Sequence, residues 1–259
     1  MATWNKIKFY YDSIPGAEGS VLTATSEAAG CPASNIHNML EVNRWAATDS
    51  AGPQYLTVDC GVGMERTADY VAIFGHNLGS IGASVSLQYS TDNFSADVND
   101  AFAPEAVPAD SVYLKEFTPP GARRYWRLKI NGHTGAPYIA VCVWGNKTEL
   151  DYATSGFDPY GEEVRCNENL SQGGFVSGVH VKYAERSFSI RFEDADSALY
   201  GKVRQWWEVS GLKNFFVAWE ASNAPGDVFL MRPDVKFRNP LKNGGLYRDI
   251  TINIKGRKG

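Results

Sequence analysis

The feature that most constrains this chain is a train of short β-patterned runs between Gln54 and Gly145, each ended by glycine, asparagine, aspartate or proline. The clearest runs are Tyr55–Cys60, Tyr70–Phe74, Ser84–Tyr89, Tyr125–Ile130 and Tyr138–Trp144. In Ser84–Tyr89 the residues Val85, Leu87 and Tyr89 fall on one face and Ser84, Ser86 and Gln88 on the other, so a strand with one dry side is expected. Tyr70–Phe74 is apolar on both faces and is expected inside a sheet. Half-apolar strands bury their dry faces against a second sheet, which makes a sandwich or barrel the natural product.

At 259 residues the chain exceeds the commonest single-domain size, and two domains are expected. With 44% apolar and 21% charged residues it has the balance of a chain that buries a core rather than a disordered one. The formal net charge of -4 comes from interspersed acids and bases, so neither nucleic acid nor an anionic membrane is an expected partner. No run approaches the roughly 18 apolar residues of a membrane span. No apolar leader region follows Met1, so no secretory leader is expected. The four cysteines, Cys31, Cys60, Cys142 and Cys166, form no C-x-x-C pair. They read as free thiols, with a Cys31–Cys142 bridge left open.

Beyond Trp144-Gly145 the apolar periodicity lapses and glycines collect, so residues 149–174 are expected as a linker between a sandwich over residues 1–148 and a smaller domain over residues 175–259. In that domain Phe175–Tyr183 and Arg186–Phe192, joined by Ala184-Glu185, read as a hairpin. The period then changes: Leu199, Val203 and Trp206 recur at helical spacing from about Ala195 to Ser210, with acidic N-cap candidates before them and Gly211 after. Strands are expected at Asn214–Trp219, Val228–Met231 and Leu246–Ile254. The fold class is therefore mainly β, with one helix of an α+β unit laid on an antiparallel sheet.

Trp45, Gln54–Gly61, Asp69–Ile73, Leu87–Asp92 and Arg124–Leu128 stand in the order and spacing of a discoidin domain, the coagulation factor 5/8 type C kind, which the chain resembles over a little more than half its length. The resemblance implies a galactose-binding-like jelly roll whose ligands meet loops at one end. It thereby makes Asn43, Arg44, Trp45, His76 and Asn77 the candidate sugar contacts. Against the family's pattern, Thr91–Ala122 reads as a long insertion-like loop. Gly75-His76-Asn77-Leu78, with Asn35-Ile36 upstream, resembles the variant of this domain found in structural proteins of tailed bacteriophages.

The residues supply little catalytic chemistry. A nucleophile elbow needs Gly-x-Ser-x-Gly, which is missing. The histidines His37, His76, His133 and His180 form no i,i+4 pair, and no metal is expected. His76 reads first as a hydrogen-bonded structural residue. Gly61-Val62-Gly63 and Gly145-Asn146-Lys147-Thr148 lack the remaining parts of nucleotide loops, so no cofactor is expected. The acidic stretch Glu193–Asp196 reads as a helix cap rather than a cation site. Trp126, Trp144 and Trp206 read as core, while Trp4, Tyr10 and Tyr11 read as surface facing a neighbouring subunit. Together with the phage resemblance, these readings give a non-enzymatic virion component of the tail tip or baseplate. It would be made in the host cytoplasm and would assemble with copies of itself and other tail proteins. The alternative is a module that recognises a host-surface carbohydrate.

Overall fold

The computed structural model describes residues 5–154, 156–220 and 226–257. The chain forms two compact units, residues 9–148 and residues 1–8 together with 149–259.

The strands in order are β1 (Lys8–Tyr10), β2 (Val21–Ala24), β3 (Trp45–Ala46), β4 (Gln54–Asp59), β5 (Tyr70–His76) and β6 (Ser84–Ser90). They continue as β7 (Asn99–Asp100), β8 (Glu105–Ala106), β9 (Tyr113–Glu116), β10 (Tyr125–Asn131), β11 (Tyr138–Gly145) and β12 (Thr148–Glu149). A 3-10 turn at Ala33–His37 separates β2 from β3. Two antiparallel sheets result, one in the order β2-β4-β10-β6-β7 with β8 also on β6, the other β3-β11-β5-β9.

Alternation explains how the sheets face each other. In β10 the side chains of Trp126, Leu128 and Ile130 are fully buried, and in β4 those of Leu56 and Val58. These meet Trp45, Val71, Ile73, Cys142 and Trp144 in one continuous core. Each such aliphatic side chain contributes about 1.5–3 kcal/mol by leaving water. β5, apolar on both faces, lies between β11 and β9 as expected.

Three expectations change in this unit, and the alternative of a Cys31–Cys142 bridge closes in favour of free thiols. β6 has no wet face, because Ser86 and Gln88 are also buried. The side-chain amide of Gln88 donates to Asp100 and its oxygen accepts from Arg127, so neighbours cover that side. Thr91–Ala122 is not a plain loop, since it supplies β7, β8 and β9. Cys31 and Cys142 are unbridged, Cys142 buried and Cys31 half-buried. Tyr10, expected at a subunit surface, is fully buried edge-on to Tyr70 at 5.0 Å, while Trp4 lies outside the described residues.

The second unit contains β13 (Glu162–Leu170), β14 (Val176–Ala195), α1 (Ser197–Ser210), β15 (Phe215–Ala218), β16 (Val228–Pro233), β17 (Leu241–Lys242) and β18 (Tyr247–Arg257). The order β15-β16-β18-β14-β13 is antiparallel throughout. Its core is a ladder of apolar pairs, Phe188 opposite Ile254, Ile190 opposite Ile252 and Phe192 opposite Ile250. Asp196 caps α1 by accepting from the Leu199 backbone N–H at 2.8 Å, and Gly211 ends the helix. Val203 and Trp206 are the buried stripe of α1, with the Trp206 ring 5.0 Å from Phe215. Leu199, expected in that stripe, is half-exposed.

The linker and the hairpin turn are both corrected here. Residues 162–170 form a full strand paired with β14. Ala184-Glu185 is not a turn but the middle of β14, where Val164 and Glu163 pair with it. The chain reverses at Ser171–Gly174 instead, where Gly174 has φ +78° and its N–H donates to the Ser171 carbonyl. The outer part of this hairpin is an arm whose β13 residues are all exposed. On one of its faces Cys166 opposes Val181, Glu168 opposes Val179, and Leu170 opposes Val176. On the other, Asn167 opposes His180 and Asn169 opposes Gly178.

Among the described residues no helix is long and apolar enough to cross a membrane.

Candidate functional site

The five residues singled out by the discoidin resemblance converge at one end of the sandwich. Ile139, near the start of β11, pairs with Trp45 on one side and His76 on the other, so the loops before β3 and after β5 meet there. Strand pairing brings the backbones together. The side chains divide sharply.

Trp45 is fully buried, and its indole N–H donates to the Ser26 carbonyl at 2.9 Å. It is core, not a platform for a ligand. His76 is 3% exposed; its Nδ1 accepts from the Leu78 backbone N–H at 3.2 Å, which leaves Nε2 to donate to the Ser111 carbonyl at 2.8 Å. Burial lowers its pKa, against the opposing pull of the Ser111 carbonyl and Asp110, so the ring is held neutral. Asn77 spends its amide on the loop, donating to the Ala136 carbonyl at 3.0 Å and accepting from the Tyr138 N–H at 2.8 Å. These three residues therefore build the end of the sandwich rather than present chemistry at it.

Arg44 and Asn43 are different. Arg44 is exposed, and its guanidinium lies 4.5 Å over the ring of Tyr138. Its carbonyl accepts from the side chain of Asn35 at 2.9 Å, which ties this segment to the 3-10 turn beneath it. Met39 has left-handed backbone, φ +63°, and after it Leu40 and Val42 are exposed, Val42 at 90%. Tyr138, one position before Ile139, was not among the expected contacts. Its alternation with Ile139 was the available signal.

The surface left at this end is a cation, an aromatic ring, a half-buried amide at Asn43 and two apolar side chains. It can stack and donate hydrogen bonds. Among the described residues no group of three or more His, Cys, Asp or Glu side chains is arranged to hold a metal ion. In the acidic stretch before α1, Asp196 is the helix cap and Asp194 pairs with Lys242 at 3.1 Å.

One feature escaped the sequence reading. On the side of β10 away from the core, Arg127 contacts Tyr55 of β4, Gln88 of β6 and Phe94 of the loop after β6.

No protein-family model and no curated protein sequence matches the chain. Solved structures do. A chitosan-binding module of a chitosanase/glucanase from Paenibacillus sp. IK-5 is 21% identical with a TM-score of 0.40, over 51% of this chain and 98% of that one. The family 32 carbohydrate-binding module of NanJ from Clostridium perfringens, in complex with galactose, is 18% identical with a TM-score of 0.43, over 54% and 99%. A fucosidase from Ruminococcus gnavus in complex with fucose is 16% identical with a TM-score of 0.45, over 54% of this chain and 28% of that one.

Proposed function

We propose that the sandwich of residues 9–148 is a non-catalytic carbohydrate-binding module that meets its ligand at the end formed by β3, β5 and β11. The observation that carries this reading is the exposed Arg44 guanidinium stacked 4.5 Å over Tyr138. A sugar has an apolar C–H face and a rim of hydroxyls. A ring with neighbouring apolar side chains suits the face, and a planar donor fork suits the rim. The discoidin resemblance, which implies ligands at a loop end, agrees with the location. The test is glycan-array binding of the full chain, followed by titration of Arg44→Ala and Tyr138→Ala. Each is expected to lose at least tenfold in affinity with an unchanged melting temperature. A folded chain that binds no glycan on the array overturns the reading.

A second reading rests on the β13–β14 arm. Leu170, Val176, Val179 and Val181 sit on one face of that ribbon, each more than half exposed. Apolar side chains gathered on an uncovered ribbon suit assembly with further protein. Taken with the resemblance to the phage variant of the domain, this reading is a tailed-bacteriophage virion component in which copies join through their second units. Native mass measurement and electron microscopy test it. A closed ring is expected, and a protein that stays monomeric and is absent from purified virions sinks it.

A further inference from the structure

We propose that the outer face of β4 and β10 is a binding site for carboxylate-bearing sugars, separate from the loop end, with Arg127 as its anion-holding fork. Arg127 stands mid-strand in β10, pointing away from the core that Trp126 and Leu128 enter. Its guanidinium lies 4.2 Å over the ring of Tyr55 and 4.0 Å over that of Phe94. Nε donates to the Gln88 side-chain oxygen at 2.7 Å, and the Gln88 amide is fixed in turn by Asp100 at 2.8 Å. The group is therefore held by two rings and one buttressed edge. No described residue accepts from its two terminal nitrogens, Nη1 and Nη2.

A guanidinium whose only task was to brace the sheet would have its donors satisfied by the protein. Here the fork is immobilised and left open, which is the arrangement that takes a planar oxyanion through two parallel hydrogen bonds. The loop that supplies Phe94 is built to hold the ring there. Asn93 and Phe94 both adopt left-handed backbone, φ +58° and +62°, a conformation that side-chain-bearing residues rarely take. Asp92 enforces it by accepting backbone N–H groups from Ser95, Ala96 and Asp97, while Ser90 accepts from Phe94.

The surroundings specify a sugar acid. Lys129, two residues along β10 and about 6.6 Å away on the same face, makes no ion pair with any described residue. Thr57 lies opposite Arg127 and Tyr55 opposite Lys129 in the pairing with β4, and Tyr125 precedes them on β10. Asp100 is close enough to act on the Arg127 charge and is engaged by Gln88. Two cations thus stand among hydroxyls on a face of an otherwise acidic chain. A polyhydroxylated carboxylate matches both features, whereas a neutral sugar leaves the fork unused.

The experiment is calorimetric titration of the full chain with oligogalacturonate, its methyl ester, sialyllactose and a polyglutamate peptide. At least one of the two sugar acids is expected to bind, with the ester and the peptide at least tenfold weaker. Arg127→Lys keeps the charge but loses the fork and is expected to weaken binding at least tenfold. Phe94→Leu, which frees the guanidinium without altering charge, is expected to weaken it several-fold and carries the test should the first variant unfold. A neutral glycan bound at the loop end is expected not to displace the acid, so failure of either site leaves the other standing. Three results overturn the proposal: no binding of either acid by the folded chain, equal binding of the peptide or ester, or unaltered affinity in folded variants.

Discussion

Arg124 and Asp59 meet across the β4–β10 pairing through two hydrogen bonds, Nε to Oδ1 at 2.7 Å and Nη2 to Oδ2 at 2.8 Å. Asp59 also accepts from the Gly61 backbone N–H at 2.8 Å, so one carboxylate both ends β4 and ties it to the start of β10. The Arg124 hydrogen bonds hold the Asp59 carboxyl below the usual carboxylate range, outweighing the opposing effect of burial, with the Gly61 N–H assisting. A depressed folded value means that the stabilisation is present above the unfolded carboxyl pKa of about 3.9. It is lost as pH falls through the folded value. Asp59→Asn is therefore expected to lower the melting temperature modestly at neutral pH. The gap to the parent chain should close in acid, as measured by thermal melts from pH 7 to pH 2. A gap that is constant over that range contradicts the assignment.

Neighbouring positions at the loop end should behave oppositely on truncation. Trp45 is fully buried in the core between the sheets and its indole is hydrogen-bonded to Ser26, so Trp45→Ala removes a large core side chain and leaves a cavity. The expected cost is about 3–5 kcal/mol in urea unfolding. Arg44→Ala, at an exposed position, is expected to leave the unfolding midpoint nearly unchanged. Comparable destabilisation by the two would mean that Arg44 is part of the fold.

The cysteines should sort by accessibility. Cys166 is exposed on the arm and Cys31 is half-buried, while Cys60 and Cys142 are buried. Burial pushes the Cys60 thiol up to about 11, and desolvation raises Cys142 further still. Since the thiolate is the reacting form, brief alkylation at pH 8 is expected to label Cys166 first and Cys31 next. Cys60 and Cys142 should react only after denaturation. Peptide mass mapping reads the order, and early labelling of Cys142 would refute the core placement.

The legible parts of this molecule are those where burial leaves a period in the sequence. Val85 and Leu87, or Trp126, Leu128 and Ile130, announce strands because one face of each is dry. Residues 162–170 carry no such mark: every one is exposed, so no face needed to be apolar, and the strand read as a linker. Its turn at Ser171–Gly174 shows in the sequence as glycines, which a linker contains as readily as a hairpin. At the candidate site, the resemblance found the right end of the sandwich because strand order sets which loops meet. It did not separate Arg44 from Trp45, since the direction of a side chain depends on which face of β3 is covered. The Arg127 face was legible only as the polar side of β10. Its partner Phe94 lies far off in sequence and reaches it through a backbone turn that no local pattern announces.

The chain enters and leaves residues 9–148 side by side, for the Ile7 N–H donates to the Asp151 carbonyl at 3.2 Å and the Leu150 N–H to the Ile7 carbonyl at 2.8 Å. Synthesis from the amino end imposes an order on that arrangement. Residues 5–8 emerge from the ribosome before the sandwich yet have no sheet to join until residue 149 and its successors follow. The sandwich, whose strands all lie between, is by then fully extruded and free to close its own core. A segment whose two ends leave its host at neighbouring chain positions can also be exchanged over evolutionary time without rerouting that host.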